Sequence, residues 1–245
     1  MQLTPATPEA IAALAPTGRL RAAINLSNFL LVTGEDGDGQ PVGPSPGMAI
    51  ALADTLGVPL EMITYSSPGL VADAAVEGVW DIGNIGAEPA RAAHINFTAA
   101  YAEIEATLMV PDDSTASSLA DLDKPGVRIA VKDRAAYCLW LERNLQHAEL
   151  VKVNSLEASF QAFVEQGLDA NAGLRPRLSQ DLESYPSSRL LNGRFMAVQQ
   201  AMGTPNDRDS AGIEILQRFV EHAKVSGQVA RLIDAHGVHG RLSVA

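Results

Sequence analysis

The sequence predicts an α/β fold of two lobes, each a mainly parallel sheet flanked by helices, joined by a double-strand hinge. Three observations point there. Short apolar runs alternate with stretches of helical spacing, and that rhythm builds βαβ units with parallel strands. It breaks twice, near residues 102–110 and 195–203, where the chain reads as extended. Between the breaks it restarts, so the second half is expected as an insertion in the first. Lobe 1 is then residues 1–106 plus 202–245, and lobe 2 is residues 107–201. A cleft between such lobes is a common ligand site.

The elements follow in order. LRAAINL (20–26) is a strand, and a loop rich in Gly, Asp and Pro covers 33–47. MAIALADTLG (48–57) has helical spacing and stops at Gly57, a usual residue just past a helix end. LEMITY (60–65) is a strand, LVADAAVEG (70–78) a helix and WDIGNI (80–85) a strand, followed by a turn at 84–87 and the strand-like INFT. EIEATLMVP (103–111) is extended, and DDSTASS (112–118) is a polar connector. The second half then reads VRIAVK strand, AAYCLWLERNLQ helix, ELVKVN strand, LEASFQAFVEQG helix, LDANAGL strand and RPRLSQDLESY helix. RFMAVQQAMG (194–203) is extended, and a long helical region over 210–237 breaks near Gly227. No repeat of solenoid period is present.

Composition narrows the function. The chain has 245 residues, 47% hydrophobic and 19% charged, with a formal charge of -11. That charge argues against nucleic-acid binding, since nothing would neutralise phosphates at large. It leaves room for an anionic small ligand, because one buried arginine can set a local field. Cys138 is the only cysteine, so no internal disulfide and no thiolate metal cluster can form. It sits in an apolar helix and reads as a buried, inert thiol. The first twenty residues lack a basic start and a long apolar core, so they do not read as a signal peptide. No stretch approaches the ~20 apolar residues that span a bilayer. The location is therefore cytoplasmic unless a leader was removed.

Within this frame several runs carry a resemblance: GRLRAAIN, GVWDIGNIGAEPARAAHINFTAAY (78–101), DLDKPGVRIAVKDRAAY, QGLDANAGL and RFMAVQQAMG. Taken in order they resemble the extracytoplasmic solute-binding proteins of family 3, the polar-amino-acid-type receptors of ABC transporters, over nearly the whole chain. The resemblance implies a type II periplasmic-binding-protein fold, a periplasmic location, and capture of a small carboxylate-bearing solute in the interlobe cleft. Membrane transporter subunits are then the partners, and the protein acts as a monomer or weak dimer without cofactor or metal.

By the same resemblance Arg91, in PARAAHINFTAAY, is the residue that grips a ligand carboxylate. Its chemistry agrees, since a guanidinium offers a planar fork of donors matching a carboxylate. The alternative is a structural arginine pairing with Glu88 or a helix end. Asn84 and Gly86 stand where the family has Ser or Thr. Asn25, Ser27 and Asn28 cluster at the end of the first strand, where open α/β sheets place ligands; capping the following turn is their other reading. Ala135, Ala136 and Tyr137 start the helix after VRIAVK, and N–H groups there favour anions. Tyr137 either faces the cleft or packs against Trp140. Gln200, on the second hinge segment, contacts ligand or makes a structural hydrogen bond.

Two departures from the family matter. The acidic residue that holds a ligand ammonium falls at Leu174, flanked by Arg175 and Arg177. Aromatic positions are taken by Asn28 and by the run from Ser66 to Gly69. An organic acid with hydroxyl, keto or amide groups therefore fits better than an ordinary α-amino acid, with Arg175 or Arg194 as partner for any second acidic group. Some relatives are dehydratases, but a proton donor is missing at Leu174, and no GxSxG or HExxH is present. His236 and His239 read as exposed tail residues. A cytoplasmic ligand sensor or scavenger of the same fold and a dehydratase-like enzyme remain the alternatives.

Overall fold

The structure is a computed structural model and describes residues 5–245. The chain divides into two compact units, Met1–Glu103 with Gln199–Ala245, and Ile104–Val198.

Unit 1 opens with α1 (Pro8–Leu14), capped by the Thr7 hydroxyl. Then come β1 (Leu20–Asn25), a small hairpin of β2 (Gly34–Glu35) and β3 (Pro41–Val42), and α2 (Pro44–Leu56). The hairpin occupies part of the expected loop, and α2 starts four residues before the expected helix because Pro44 and Pro46 suit a first turn. Next are β4 (Leu60–Tyr65), α3 (Pro68–Asp73), β5 (Ile82–Gly86) and the single turn α4 (Pro89–Ala92). Strand β6 (Ile95–Pro111) is 17 residues long and runs from unit 1 into unit 2.

Unit 2 contains α5 (Leu119–Leu122), β7 (Arg128–Lys132), α6 (Ala136–Asn144), β8 (Glu149–Val153), α7 (Leu156–Glu165), β9 (Ala170–Leu174), α8 (Arg175–Ser184) and β10 (Ser188–Leu190). Strand β11 (Met196–Pro205) leads back into unit 1. There α9 (Ser210–Val225), α10 (Gln228–Ala235) and β12 (Ser243–Val244) complete it. Gly227, at φ 75°, makes the break between the two C-terminal helices.

The strand order is β4-β1-β5-β11-β6 in unit 1 and β6-β9-β7-β8 in unit 2. The βαβ strands pair parallel, β1 with β4 and β5, β7 with β8 and β9. Both segments expected to be extended are strands, and they run antiparallel: β11 on β5, and β6 on β9. Burial follows position in the sheet. Central β5 and β9 are buried at every residue, whereas edge strands β4 and β8 are not. A strand covered on both faces must be apolar or small throughout, which IGNIG and ANAGL nearly satisfy.

Each unit has its own core. In unit 1 Trp80 packs with Ala23, Val71, Ile85 and Ile95, and its indole N–H donates to the Val71 carbonyl at 3.2 Å. In unit 2 Met109, Phe163, Leu168 and Leu178 form the centre, with Tyr185 edge-on to Phe160 and Phe163. Beneath β1, buried Asp81 takes Arg21 in a two-toothed bond, 3.0 and 2.8 Å, and Arg208 at 2.8 Å.

Candidate functional site

The polar residues singled out in unit 1 converge on one end of its sheet. Asn25 ends β1 and Gly86 ends β5, its parallel neighbour. Gln200 of β11 lies opposite Gly86. Arg91 comes from α4, a turn held between Glu88 and His94 by backbone bonds. Its side chain is buried, and its Nη1 donates to the Gly86 carbonyl at 2.6 Å. A buried guanidinium is thus fixed at the C-terminal end of a parallel strand, the position where open α/β sheets place their ligands.

The individual side chains divide. Asn25 Oδ1 accepts from the Ser27 backbone N–H at 3.2 Å and from the Ser27 hydroxyl at 2.9 Å. Asn28 Oδ1 accepts from Leu30 N–H at 3.2 Å. Both amides thus shape the turn after β1, and these bonds use Oδ1 and leave Nδ2 out. Asn84 points to α2: its Nδ2 donates to the Ser45 carbonyl at 3.0 Å, inside the core. The turn expected at 84–87 is instead a continuation of β5 and its pairing, and the Ala87 N–H is taken by the Gln199 carbonyl at 2.8 Å. Gln200 is buried within β11.

In unit 2, Ala135 and Ala136 stand at the start of α6, where Ala135 is the N-cap and makes no side-chain cap. The first-turn N–H groups of a helix have no acceptor within the helix, so here they meet no capping oxygen. Just before them, Arg134 adopts φ 57°, a left-handed conformation costly for a residue with a Cβ and concentrated at functional turns. Tyr137 is buried in the first turn of α6. Its hydroxyl is fully buried without a hydrogen-bond partner, burial pushes its ionisation well up, and Trp140 packs on Phe195 at 5.5 Å.

The arginines considered for a second acidic group are otherwise engaged. Arg175 Nε donates to Glu105 at 2.8 Å, and Arg194 lies 3.8 Å from the same carboxylate. Arg177, the other charge near Leu174, bonds Asp181 and Glu157. Leu174 is buried as the N-cap of α8. His236 Nδ1 lies 3.2 Å from the Thr33 hydroxyl, and His239 reaches Asp234.

Sequence reasoning passed over Lys132, a buried lysine ending β7. A lysine set directly after the apolar run IAV was its signal.

Residues 26–239 match the profile of the bacterial extracellular solute-binding proteins, family 3. The chain belongs to this family. Solved structures agree on the fold of this family 3 protein. A mutant of ArgBP from T. maritima superposes with a TM-score of 0.73 at 18% identity, covering 93% of this chain and 99% of that one. A putative binding component of an ABC transporter from Wolinella succinogenes, complexed with lysine, gives 0.73 at 19%, covering 89% and 95%. AncCDT-1, an ancestral amino acid-binding protein described as a precursor of cyclohexadienyl dehydratase, gives 0.72 at 21%, covering 92% and 98%. No curated protein sequence matches the chain. Among the described residues no helix is long and apolar enough to cross a membrane.

Proposed function

We propose that this family 3 protein captures a small carboxylate-bearing solute outside the cytoplasm, in the periplasm, and delivers it to the membrane subunits of an ABC transporter. The observation that carries the reading is Arg91: a buried guanidinium held at the end of β5 by the Gly86 carbonyl. A guanidinium has five N–H donors in a rigid fork, and that fork matches a carboxylate. Holding the group in place beforehand lowers the entropy cost of gripping the anion. The uncapped start of α6 in unit 2 is a second feature that favours negative charge.

Solved relatives bind arginine or lysine, as with AbpA from Streptococcus pneumoniae bound to L-arginine. For this chain we favour an organic acid. An α-ammonium needs an acidic partner, and the family's position for it is Leu174, an apolar side chain. The nearby carboxylate, Glu105, is already shared by Arg175 and Arg194. Leu174 also supplies no proton donor, so the reading is a binder and not a dehydratase.

A thermal-shift screen of organic acids against α-amino acids tests this. A small hydroxy, keto or amide acid is expected to raise the melting temperature without being consumed. Stabilisation by lysine or arginine alone, or mass-spectrometric detection of a converted acid, overturns it.

A further inference from the structure

Beside the start of α6, whose backbone N–H groups serve the solute reading, lies a group of side chains which that reading does not use. Asp133 occupies the β7–α6 turn, and Cys138 and Glu142 follow one helical turn apart on α6. The sulfur and one oxygen of each carboxylate all lie within 4.8 Å of one another. The thiol is fully buried, yet both carboxylates are exposed to solvent. A structural core thiol normally behaves as a small apolar group, whereas here two acids from the surface reach it. The place already holds one cation: Lys152 of β8 ion-pairs with Glu142, and Glu142 holds that ammonium protonated to higher pH. We propose that Asp133, Cys138 and Glu142 form a binding site for one thiophilic divalent cation of the zinc class, with water completing the coordination. This goes beyond solute capture and does not depend on it.

The donor set selects the class of ion. One thiolate with two carboxylates suits zinc or cadmium; magnesium and calcium require an all-oxygen shell. Zinc takes sulfur at about 2.3 Å and carboxylate oxygen at about 2.0–2.2 Å. The donors must therefore draw together by roughly 1 Å, within reach of rotamer changes in two exposed carboxylates. On binding, the S–H bond breaks heterolytically: the proton leaves to solvent and the sulfur electron pair goes to the metal. Nothing is oxidised. Burial, and then Glu142, push the free thiol up to about 11, and a coordinated dication reverses that preference. Lys152 is the ion's competitor for Glu142.

The experiment uses the full chain with no organic ligand. Cadmium is titrated in while the ultraviolet thiolate-to-cadmium charge-transfer band is followed, and zinc affinity is read by competition with a chromophoric chelator. Expected are one saturable equivalent and a clear band. Glu142→Gln and Asp133→Asn, at exposed positions, should each weaken zinc at least about tenfold, the scale of losing one ligating contact. Cys138→Ser should abolish the band, and Lys152→Met should tighten zinc several-fold by removing the competing ammonium. Arg91→Ala should bind metal as wild type does, so failure of the solute reading leaves this one standing. Absence of the band in the wild-type chain overturns the proposal, as does zinc affinity unchanged in both Glu142→Gln and Asp133→Asn.

Discussion

Arg91 and Gly86 are joined by a 2.6 Å hydrogen bond from guanidinium to carbonyl, which ties α4 to the last residue of β5. Replacing Arg91 by Lys keeps the charge and loses the fork. Solute affinity is expected to fall at least about tenfold, or 1.4 kcal/mol. Arg91→Ala should cost at least a few kcal/mol of binding, because the solute carboxylate would lose a charged hydrogen-bond partner. Isothermal titration with the acid found by screening measures both, and unchanged affinity removes Arg91 from the site.

Tyr137 gives the opposite expectation. Its hydroxyl is buried and unpartnered, and leaving such a group unsatisfied costs about 1–3 kcal/mol. Tyr137→Phe should leave solute affinity unchanged and leave stability equal or greater, as read from urea unfolding. Weakened binding would return the hydroxyl to the site.

Asp81 organises unit 1 from beneath the sheet. It is fully buried and accepts from Arg21 and Arg208. Asp81→Ala leaves two guanidinium groups without their counter-charge. Removing one partner of a buried pair typically costs about 3–5 kcal/mol, so the urea midpoint should drop sharply. A loss under about 1 kcal/mol would show these to be weak surface pairs.

Gly43 holds φ 149° ahead of α2, and a Cβ there would meet the Leu31 carbonyl and, at 2.9 Å, the Val32 Cα. Both obstacles are backbone and cannot swing away. Gly43→Ala should destabilise by about 1–3 kcal/mol, the usual cost of a strained backbone position. A calorimetric melting temperature equal to wild type contradicts this.

Asp121 caps α5 by accepting from the backbone and hydroxyls of Ser117 and Ser118. Those bonds, the Ser117 backbone first, lower its ionisation from 3.8 to about 2. A carboxylate depressed in the folded state stabilises it above the unfolded pKa, and that contribution disappears as pH falls through the folded value. The melting-temperature gap between wild type and Asp121→Ala should thus be full above about pH 4 and should close toward pH 2. A gap constant with pH would place its origin outside the capping bonds.

Much of the architecture was legible because burial imposes strict patterns. The centre of VRIAVK, IAV, is apolar, and ANAGL of LDANAGL is apolar or small apart from Asn171; they lie in β7 and β9. Gly57 and Gly227 mark helix boundaries through their left-handed conformations. The β2–β3 hairpin was not legible, since a pair of two-residue strands is too short to show alternation. The candidate site was only half legible. Residue type nominates an amide or an arginine, but not its direction. Asn84 turns to α2 and Asn25 to its own turn, while Arg175 and Arg194 meet at Glu105. Partners seventy residues distant in sequence leave no local trace. The Asp133, Cys138 and Glu142 grouping did leave one, in the four-residue spacing of CLWLE.

Unit 1 is built from both ends of the chain, and β11 lies between β5 and β6 in its sheet. On a ribosome, the inserted unit is complete when residue 198 has emerged, while its host still lacks an inner strand and two covering helices. The inserted unit can therefore fold first. Until the last fifty or so residues appear, β5 presents an open edge, which is the stage at which a chaperone or a secretion factor would have most to hold.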